Sequence, residues 1–415
     1  MNLPSDIDRD QEWRMGWRPL LASTIGFGSG LGLVTYLSGL FIRPMQIETG
    51  WSTSAVTISP IISLMVALCS PIAGVMVDRY GSRRISLIGL PLLAATLFLL
   101  SALPLERGTI YAAAVLIGIV GPLSSTTPFL RCVASWFPHR TGLALGLAMN
   151  GVPLMAFIAT PIIGWTIMQY GWRAGYVALG SIMLFVGWPC VFAMLQERRT
   201  DRSAARRPMG AIMRHILRLP PLWLIGAAIA AASIPLGGFL ANLQPMLAAG
   251  GIPIGEAMAF GMIYALSIIF GRLGGGFLMD RLWDGGVGMG LMMLSAAGSL
   301  MLMHVGAAMP VAAIAIAVLL VGMGQGAEAD MIGYFALKLF GMANYSAIVG
   351  VWTMVASLFL ALGSLWFAMI FDAYGSYAPA CILGACCFLL SGTLLLVTRL
   401  FYGQQPDDRA ETVAV

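Results

Sequence analysis

The sequence predicts an all-α integral membrane protein with twelve transmembrane helices in two pseudo-symmetric six-helix halves. Three observations carry that expectation. Hydrophobic residues make up 59% of the 415 residues and charged residues only 10%. A soluble domain carries about 25% charged residues, so this chain lacks the polar surface to face water. Apolar runs of about 20 residues, the length that crosses a hydrocarbon core, recur along the chain. After the second run stands a charged turn, Gly74-Val-Met-Val-Asp78-Arg79-Tyr-Gly81-Ser-Arg83-Arg84, and a partial copy, Gly276-Phe-Leu-Met-Asp280-Arg281, follows about 200 residues later.

The runs fall near 17–42, 51–77, 84–104, 109–137, 141–168, 173–195, 221–249, 254–279, 287–306, 309–337, 342–370 and 376–402. Several contain Gly and Pro, which membrane helices tolerate because neighbouring helices re-satisfy the backbone. The first 17 residues are polar and charged, which argues against a cleavable signal peptide. The tails 1–16 and 403–415 are polar, and no lipidation or retrieval signal is legible in them.

Twenty-two of the 23 basic residues are arginines and the other is Lys338, and most cluster in turns. With the N-terminus in the cytoplasm, 18 of them fall on the inner side, including seven in the segment 196–220. The outer turns hold only Arg43, Arg107 and Arg173, while Arg131 and Arg272 lie within spans. The positive-inside rule therefore expects both termini in the cytoplasm. The net charge of +5 is topological and implies no nucleic-acid partner. The six cysteines (Cys69, Cys132, Cys190, Cys381, Cys386, Cys387) all sit in apolar runs, which argues for packing rather than a disulfide framework.

The segment 196–220 reads as a cytoplasmic linker, with room for a short helix on anionic headgroups. It divides the chain into 1–195, the N-terminal half, and 221–415, the C-terminal half. Three landmarks repeat at nearly one offset: Asp78 with Asp280, Phe137 with Phe340, and Tyr170-Gly171 with Tyr374-Gly375. One offset for three landmarks argues for duplication.

Motifs across nearly the whole chain carry a family resemblance. Beside the Asp78 turn stand Gly39-Leu-Phe41-Ile-Arg43-Pro44-Met45 with Glu48-Thr-Gly50-Trp51-Ser52, and Trp136-Phe137-Pro-His139-Arg140-Thr-Gly142-Leu-Ala-Leu-Gly146. Further on come Tyr170-Gly171-Trp172-Arg173 and Gly322-Met-Gly324-Gln-Gly326-Ala-Glu328-Ala-Asp330. Together these resemble the monocarboxylate and oxalate/formate carriers within the major facilitator superfamily. The resemblance, to bacterial members of the group, implies an inner-membrane secondary carrier for a small organic anion, a monocarboxylate first of all, working by alternating access and coupled to H+. It also implies that Arg272, in the eighth helix, holds the substrate carboxylate. Gly74, Asp78, Arg79, Gly81, Arg83, Arg84, Asp280 and Arg281 would belong to a gate network at the cytoplasmic face. The sequence departs from animal carriers of the group at Ile268, where they place an aspartate one turn before the arginine. Glu328 or Asp330 would then have to carry the proton.

Charge within a span costs about 2.5–3.5 kcal/mol at a helix centre on insertion scales. Arg131, Arg272, Glu328 and Asp330 are the four charges well inside the expected spans, and they sum to zero. Arg272 precedes Asp280 by 8 residues and Glu328 precedes Lys338 by 10. At 1.5 Å per residue both lie about 12–15 Å from the same ends of their helices, so contact between them is expected. A guanidinium suits a carboxylate bidentately, while a structural ion pair between helices 8 and 10 is the competing reading. Glu328 and Asp330 point about 200° apart on a helix, so they should not share one proton. Arg131 either draws anions into the cavity or snorkels to the inner face. Tyr36, Asn150, Asn242, Gln244, Tyr264 and Tyr334 are further candidates for lining the cavity, each with helix packing as the alternative.

Other chemistries find no support. No Gly-rich loop ends in Gly-Lys-Ser/Thr, His139, His215 and His304 show no metal-ligand spacing, and no cofactor or enzymatic activity is expected. Gly26-Phe-Gly28-Ser29-Gly30 reads as close helix packing. The rival within transport is an exporter or anion exchanger for another small molecule, such as an aromatic acid. A monomer in the lipid bilayer is the expected assembly.

Overall fold

A computed structural model describes residues 9–51, 58–104, 106–198, 214, 216–252, 254–305, 309–342 and 344–402. Most of the expected linker and the far ends of both tails, with the headgroup helix expected in that linker, lie outside the described residues. Among the described residues every long element is a helix and there is no strand. The helices are α1 (Arg9–Gly28), α2 (Leu31–Leu37), α3 (Gly39–Thr49), α4 (Ser59–Tyr80), α5 (Ser82–Ala102), α6 (Arg107–Val120) and α7 (Thr126–Trp136). They continue with α8 (Thr141–Met149), α9 (Gly151–Ile182), α10 (Trp188–Met194), α11 (Pro220–Ala249) and α12 (Ile254–Arg281). The last four are α13 (Asp284–Leu302), α14 (Val311–Phe340), α15 (Tyr345–Tyr374) and α16 (Ala378–Tyr402).

Among the described residues, eleven helical stretches are long and apolar enough to cross a membrane. One of them, Thr141–Met194, is 54 residues long, about 80 Å at 1.5 Å per residue, far beyond a hydrocarbon core of about 30 Å. Gly171, with φ 82° and ψ 172°, breaks it into two spans. Only glycine enters that backbone region without steric cost. The break stands at the Tyr-Gly pair where the sequence places the opening of the sixth helix, which makes twelve spans among the described residues. Gly375, its counterpart in the repeat, likewise has a positive φ of 64°.

Several boundaries differ from the sequence reading, each for a local reason. The first span starts at Arg9 rather than near 17, because its arginines are good helix formers that extend the helix past the apolar run. It is interrupted at Ser29–Gly30, where the place of a Gly30 Cβ is already taken by the carbonyl oxygen of Ser124. The segment read as a turn around Arg43-Pro44 is helical: α3 runs through Pro44 and ends at Gly50, φ 66°. Pro44 removes one hydrogen bond without ending the helix. The fourth span is broken by the 3-10 turn Gly121–Ser124. The turn between the second and third spans narrows to Gly81, so Asp78 sits in the last turn of α4.

The chain divides into two compact units. The first comprises Met1–Ile212 with Gly341–Leu358, and the second Met213–Phe340 with Phe359–Val415. In the first unit Leu33, Leu93, Leu97, Ala114, Ile117, Ile163 and Leu179 form a fully buried apolar core. Large side chains such as Phe157 (80% exposed), Met168 (84%) and Phe185 (72%) point outward. Such an apolar exterior belongs against lipid, since in water it would drive association.

Candidate functional site

In the second unit, glycines decide how closely α12 and α14 approach. A Cβ on Gly326 would meet the backbone nitrogen of Arg272 at 2.8 Å and the carbonyl of Ile268 as well. A Cβ on Gly271 would strike the backbone of Met323 in return. The two backbones therefore touch directly, as small residues allow in membrane helices. That contact fixes the register in which Arg272 on α12 stands beside Glu328 and Asp330 on α14. Both carboxylates lie within electrostatic range of the Arg272 guanidinium.

The two acids are held differently. Glu328 is 8% exposed, and its Oε1 accepts a hydrogen bond from Ser233 Oγ on α11 at 3.0 Å. Beside it lies a cavity of about 10 Å³, room for one water, walled by Ile225, Ile229, Met292, Met331 and Phe335. Asp330 is fully buried, and neither of its oxygens has a hydrogen-bond partner among the described residues. Their divergence matches the helical angle between positions two apart.

The other candidates scatter. Tyr264 is buried and its hydroxyl donates to Gln325 Oε1, a residue one turn before Glu328 on α14. Asn242 is buried and donates its amide to the carbonyls of Gly238 (3.0 Å) and Ser364 (3.1 Å). Tyr334 donates to the carbonyl of Met279 at 2.9 Å, which ties α14 to the end of α12. Gln244 is exposed beside Gly261. Asn150 is half-buried and donates back to Gly146, and Tyr36 is 57% exposed.

In the first unit Arg131, a further candidate, stands in an ion cluster. Its Nη1 bonds the carboxylate of Asp78, and its Nε lies 2.6 Å from Glu197 Oε1. The three side chains are 8%, 5% and 14% exposed. Asp78 also accepts the backbone N–H groups of Ser346 (3.1 Å) and Ala347 (2.8 Å). These belong to the first turn of α15, where N–H groups lack helical partners and the dipole favours an anion. Gly74, one turn before Asp78, lets the carbonyl of Ser346 come in where a side chain would stand. Glu197 Oε2 accepts the N–H of Ser82 at 2.8 Å, beside the Gly81 turn. Arg83 donates to the carbonyl of Phe192 at 2.7 Å, whereas Arg79 and Arg84 are exposed.

The partial second copy of this turn is built otherwise. Arg281 is exposed, with its guanidinium 4.2 Å from the Phe277 ring centroid, and Asp280 is half-buried. Four residues on, buried Asp284 pairs with Arg399 Nε at 2.6 Å and accepts the N–H of the adjoining Gly285 in the first turn of its helix. Sequence reasoning missed Glu197, Asp284 and Gln325. It also missed Glu12, which is fully buried and accepts the N–H of His139 at 2.8 Å. An acid close to a span end looks like ordinary solvated charge, and only packing reveals its burial.

At the opposite end of the first unit's spans, two of the quoted motifs meet. Glu48 accepts hydrogen bonds from Trp172 Nε1 at 2.6 Å and from Arg173 Nη1 at 2.8 Å. The Arg173 hydrogen bond, then that of Trp172, holds the Glu48 carboxyl below the usual carboxylate range.

Comparisons with known proteins agree with this architecture. The Major Facilitator Superfamily model matches residues 21–364. Monocarboxylate transporter 13 of Bos taurus is 24% identical over 390 residues, covering 92% of this chain and 89% of that protein. Monocarboxylate transporter 2 of Mus musculus is 28% identical over 182 residues, or 44% of this chain and 37% of that protein. Among solved structures, the E. coli fucose:proton symporter FucP aligns with a TM-score of 0.72 at 15% identity, covering 92% of this chain and 98% of that one. At that identity the likeness speaks for the fold alone. A match over most of the chain, on a framework of apolar helices with an ion cluster at the signature turn, makes this a multi-pass membrane transporter of the Major Facilitator Superfamily.

Proposed function

We propose that the protein carries a small organic anion, a monocarboxylate first of all, across the membrane by alternating access of two six-helix halves joined by the segment 196–220. The observation that carries the reading is the grouping of Arg272, Glu328 and Asp330 inside the second unit. Guanidinium geometry suits bidentate recognition of a carboxylate. Relatives named monocarboxylate transporters, aligned over most of both chains in one case, support the substrate class.

In this reading Arg272 neutralises the substrate carboxylate, and a proton on Glu328 or Asp330 travels with it. The loaded carrier then reorients with little net buried charge, which a low-dielectric interior favours. The Asp78–Arg131–Glu197 cluster acts as a latch at the inner face, released and remade in each cycle. Its ties to the first turn of α15 support that role. The arginine distribution supports both termini in the cytoplasm.

Uptake of labelled monocarboxylates into proteoliposomes, with and without an imposed pH gradient, tests the proposal. Saturable uptake that rises with an inward proton gradient is expected. Uptake indifferent to the gradient, and equally indifferent to Glu328→Gln with Asp330→Asn, would remove the proton coupling. Counterflow from preloaded vesicles without any proton dependence would identify an exchanger.

A further inference from the structure

A groove of about 680 Å³ opens in the first unit where three helices end: the start of α1, the end of α7 and the end of α10. Arg14 and Arg18 line it, with Trp17, Trp136, Met194 and Gln196 among its walls, and among the described residues no acidic side chain lines it. Arg14 and Arg18 are exposed, and among the described residues neither forms an ion pair. The Arg18 guanidinium lies 5.4 Å from the Trp17 ring centroid, and Trp17 is half exposed.

The level of the groove decides what can fill it. Helix ends flanked by indole rings mark the membrane–water interface, where Trp prefers to sit. Two guanidiniums aimed into a cleft there, with apolar walls from Trp17 and Met194, complement a phosphodiester that continues into acyl chains. We infer that this groove is a binding site for the headgroup of an anionic phospholipid. The phosphate sits between Arg14 and Arg18, and the glycerol backbone lies against the indoles.

The floor of the groove gives occupancy a structural consequence. The Gln196 carbonyl accepts Trp136 Nε1 at 2.6 Å, so this segment braces one wall. The next residue is Glu197, which joins the Arg131 cluster. A lipid bound here rests on the segment that holds that carboxylate in place, and binding to the folded state raises apparent stability. The inference is independent of which solute is carried.

The test uses the full chain, delipidated in a neutral maltoside detergent, with thermal unfolding followed as lipid is added. The probes are phosphatidylglycerol, phosphatidylcholine and free glycerol phosphate. Wild type is compared with Arg14→Gln/Arg18→Gln and with Arg107→Gln, which removes an exposed arginine at the opposite end of the span that ends at Trp136. Phosphatidylglycerol is expected to raise the midpoint of wild type and of Arg107→Gln alike. In the groove variant that rise should fall by at least half. Phosphatidylcholine and glycerol phosphate should do little. An equal rise in the groove variant, an equal rise with phosphatidylcholine, or an equal loss in Arg107→Gln would each overturn the site. A rise with glycerol phosphate that matches the lipid would make the ligand a soluble phosphoester and overturn the lipid assignment. If the groove variant fails to fold, native mass spectrometry of wild type decides: retained phosphatidylglycerol lost on Trp17→Ala supports the site, and unchanged retention rejects it.

Discussion

Arg131 and Glu197, 66 positions apart in the sequence, meet at 2.6 Å, and the same guanidinium holds Asp78. One cation thus joins the signature turn to the start of the segment that follows the sixth span. Breaking a buried pair by deleting one partner typically costs about 3–5 kcal/mol, because it strands the remaining charge. Arg131→Ala is therefore expected to lower the unfolding midpoint strongly, and Arg79→Ala, at an exposed site, hardly at all. Equal midpoints for the two variants would show that the cluster contributes no stability.

The contact between α12 and α14 makes a sharp pair of substitutions. Gly271→Ala places a methyl against the backbone of Met323, which cannot yield without moving a helix. Gly274→Ala, three residues on, meets nothing within 4 Å. The first should lose stability by a few kcal/mol, the range of overpacked interiors, and the second should be neutral or slightly stabilising through helix propensity. Denaturant or thermal unfolding of the two variants side by side checks the ordering.

Glu48 gives a pH dependence with a definite sign. Its folded-state carboxyl titrates below the ordinary value because Arg173 and Trp172 stabilise the anion. A group depressed on folding contributes stability that is present above its unfolded value, about 4.3 for Glu, and is lost as pH falls through the folded one. Glu48→Gln should therefore lower the midpoint slightly at neutral pH, with the difference from wild type closing as pH falls through the folded value, so that the variant's acid limb is flatter. The effect should be small, because Glu48 and Arg173 are 42% and 41% exposed and solvent screens the pair. An unchanged acid limb in the variant would discard this linkage.

The transport reading makes the two acids separable. Glu328→Gln keeps an acceptor and donor for Ser233, whereas Asp330→Asn alters a side chain with no hydrogen-bond partner among the described residues. If one of them carries the proton, only that variant should lose pH-gradient-driven uptake at least tenfold while keeping counterflow. Loss in neither variant would move coupling to another group.

Much of the fold was legible because membrane spans are dictated by length and polarity alone. Even the break at Gly171 was visible, since Tyr170-Gly171 and Tyr374-Gly375 repeat at the helix junctions. The run of α3 through Pro44 was not, because one lost backbone bond reads in sequence like a helix end. Counting residues from the helix ends puts Arg272 and Glu328 at one depth. It names no partner for Arg131, whose carboxylates sit 53 and 66 positions away. Periodicity within one helix carries no information about which neighbour packs against it, and Glu197 stands in a polar stretch where carboxylates are usually solvated.

The central proposal is that Arg272 holds a substrate carboxylate, and the most direct measurement is thermal stabilisation of wild type and Arg272→Ala against a panel of carboxylates. A ligand bound to the folded state raises the midpoint, by about 2.7 kcal/mol at 100 times its dissociation constant. At least one monocarboxylate should stabilise the wild type and lose that effect in the correctly folded variant. Stabilisation of equal size in both proteins would contradict Arg272 as the carboxylate clamp.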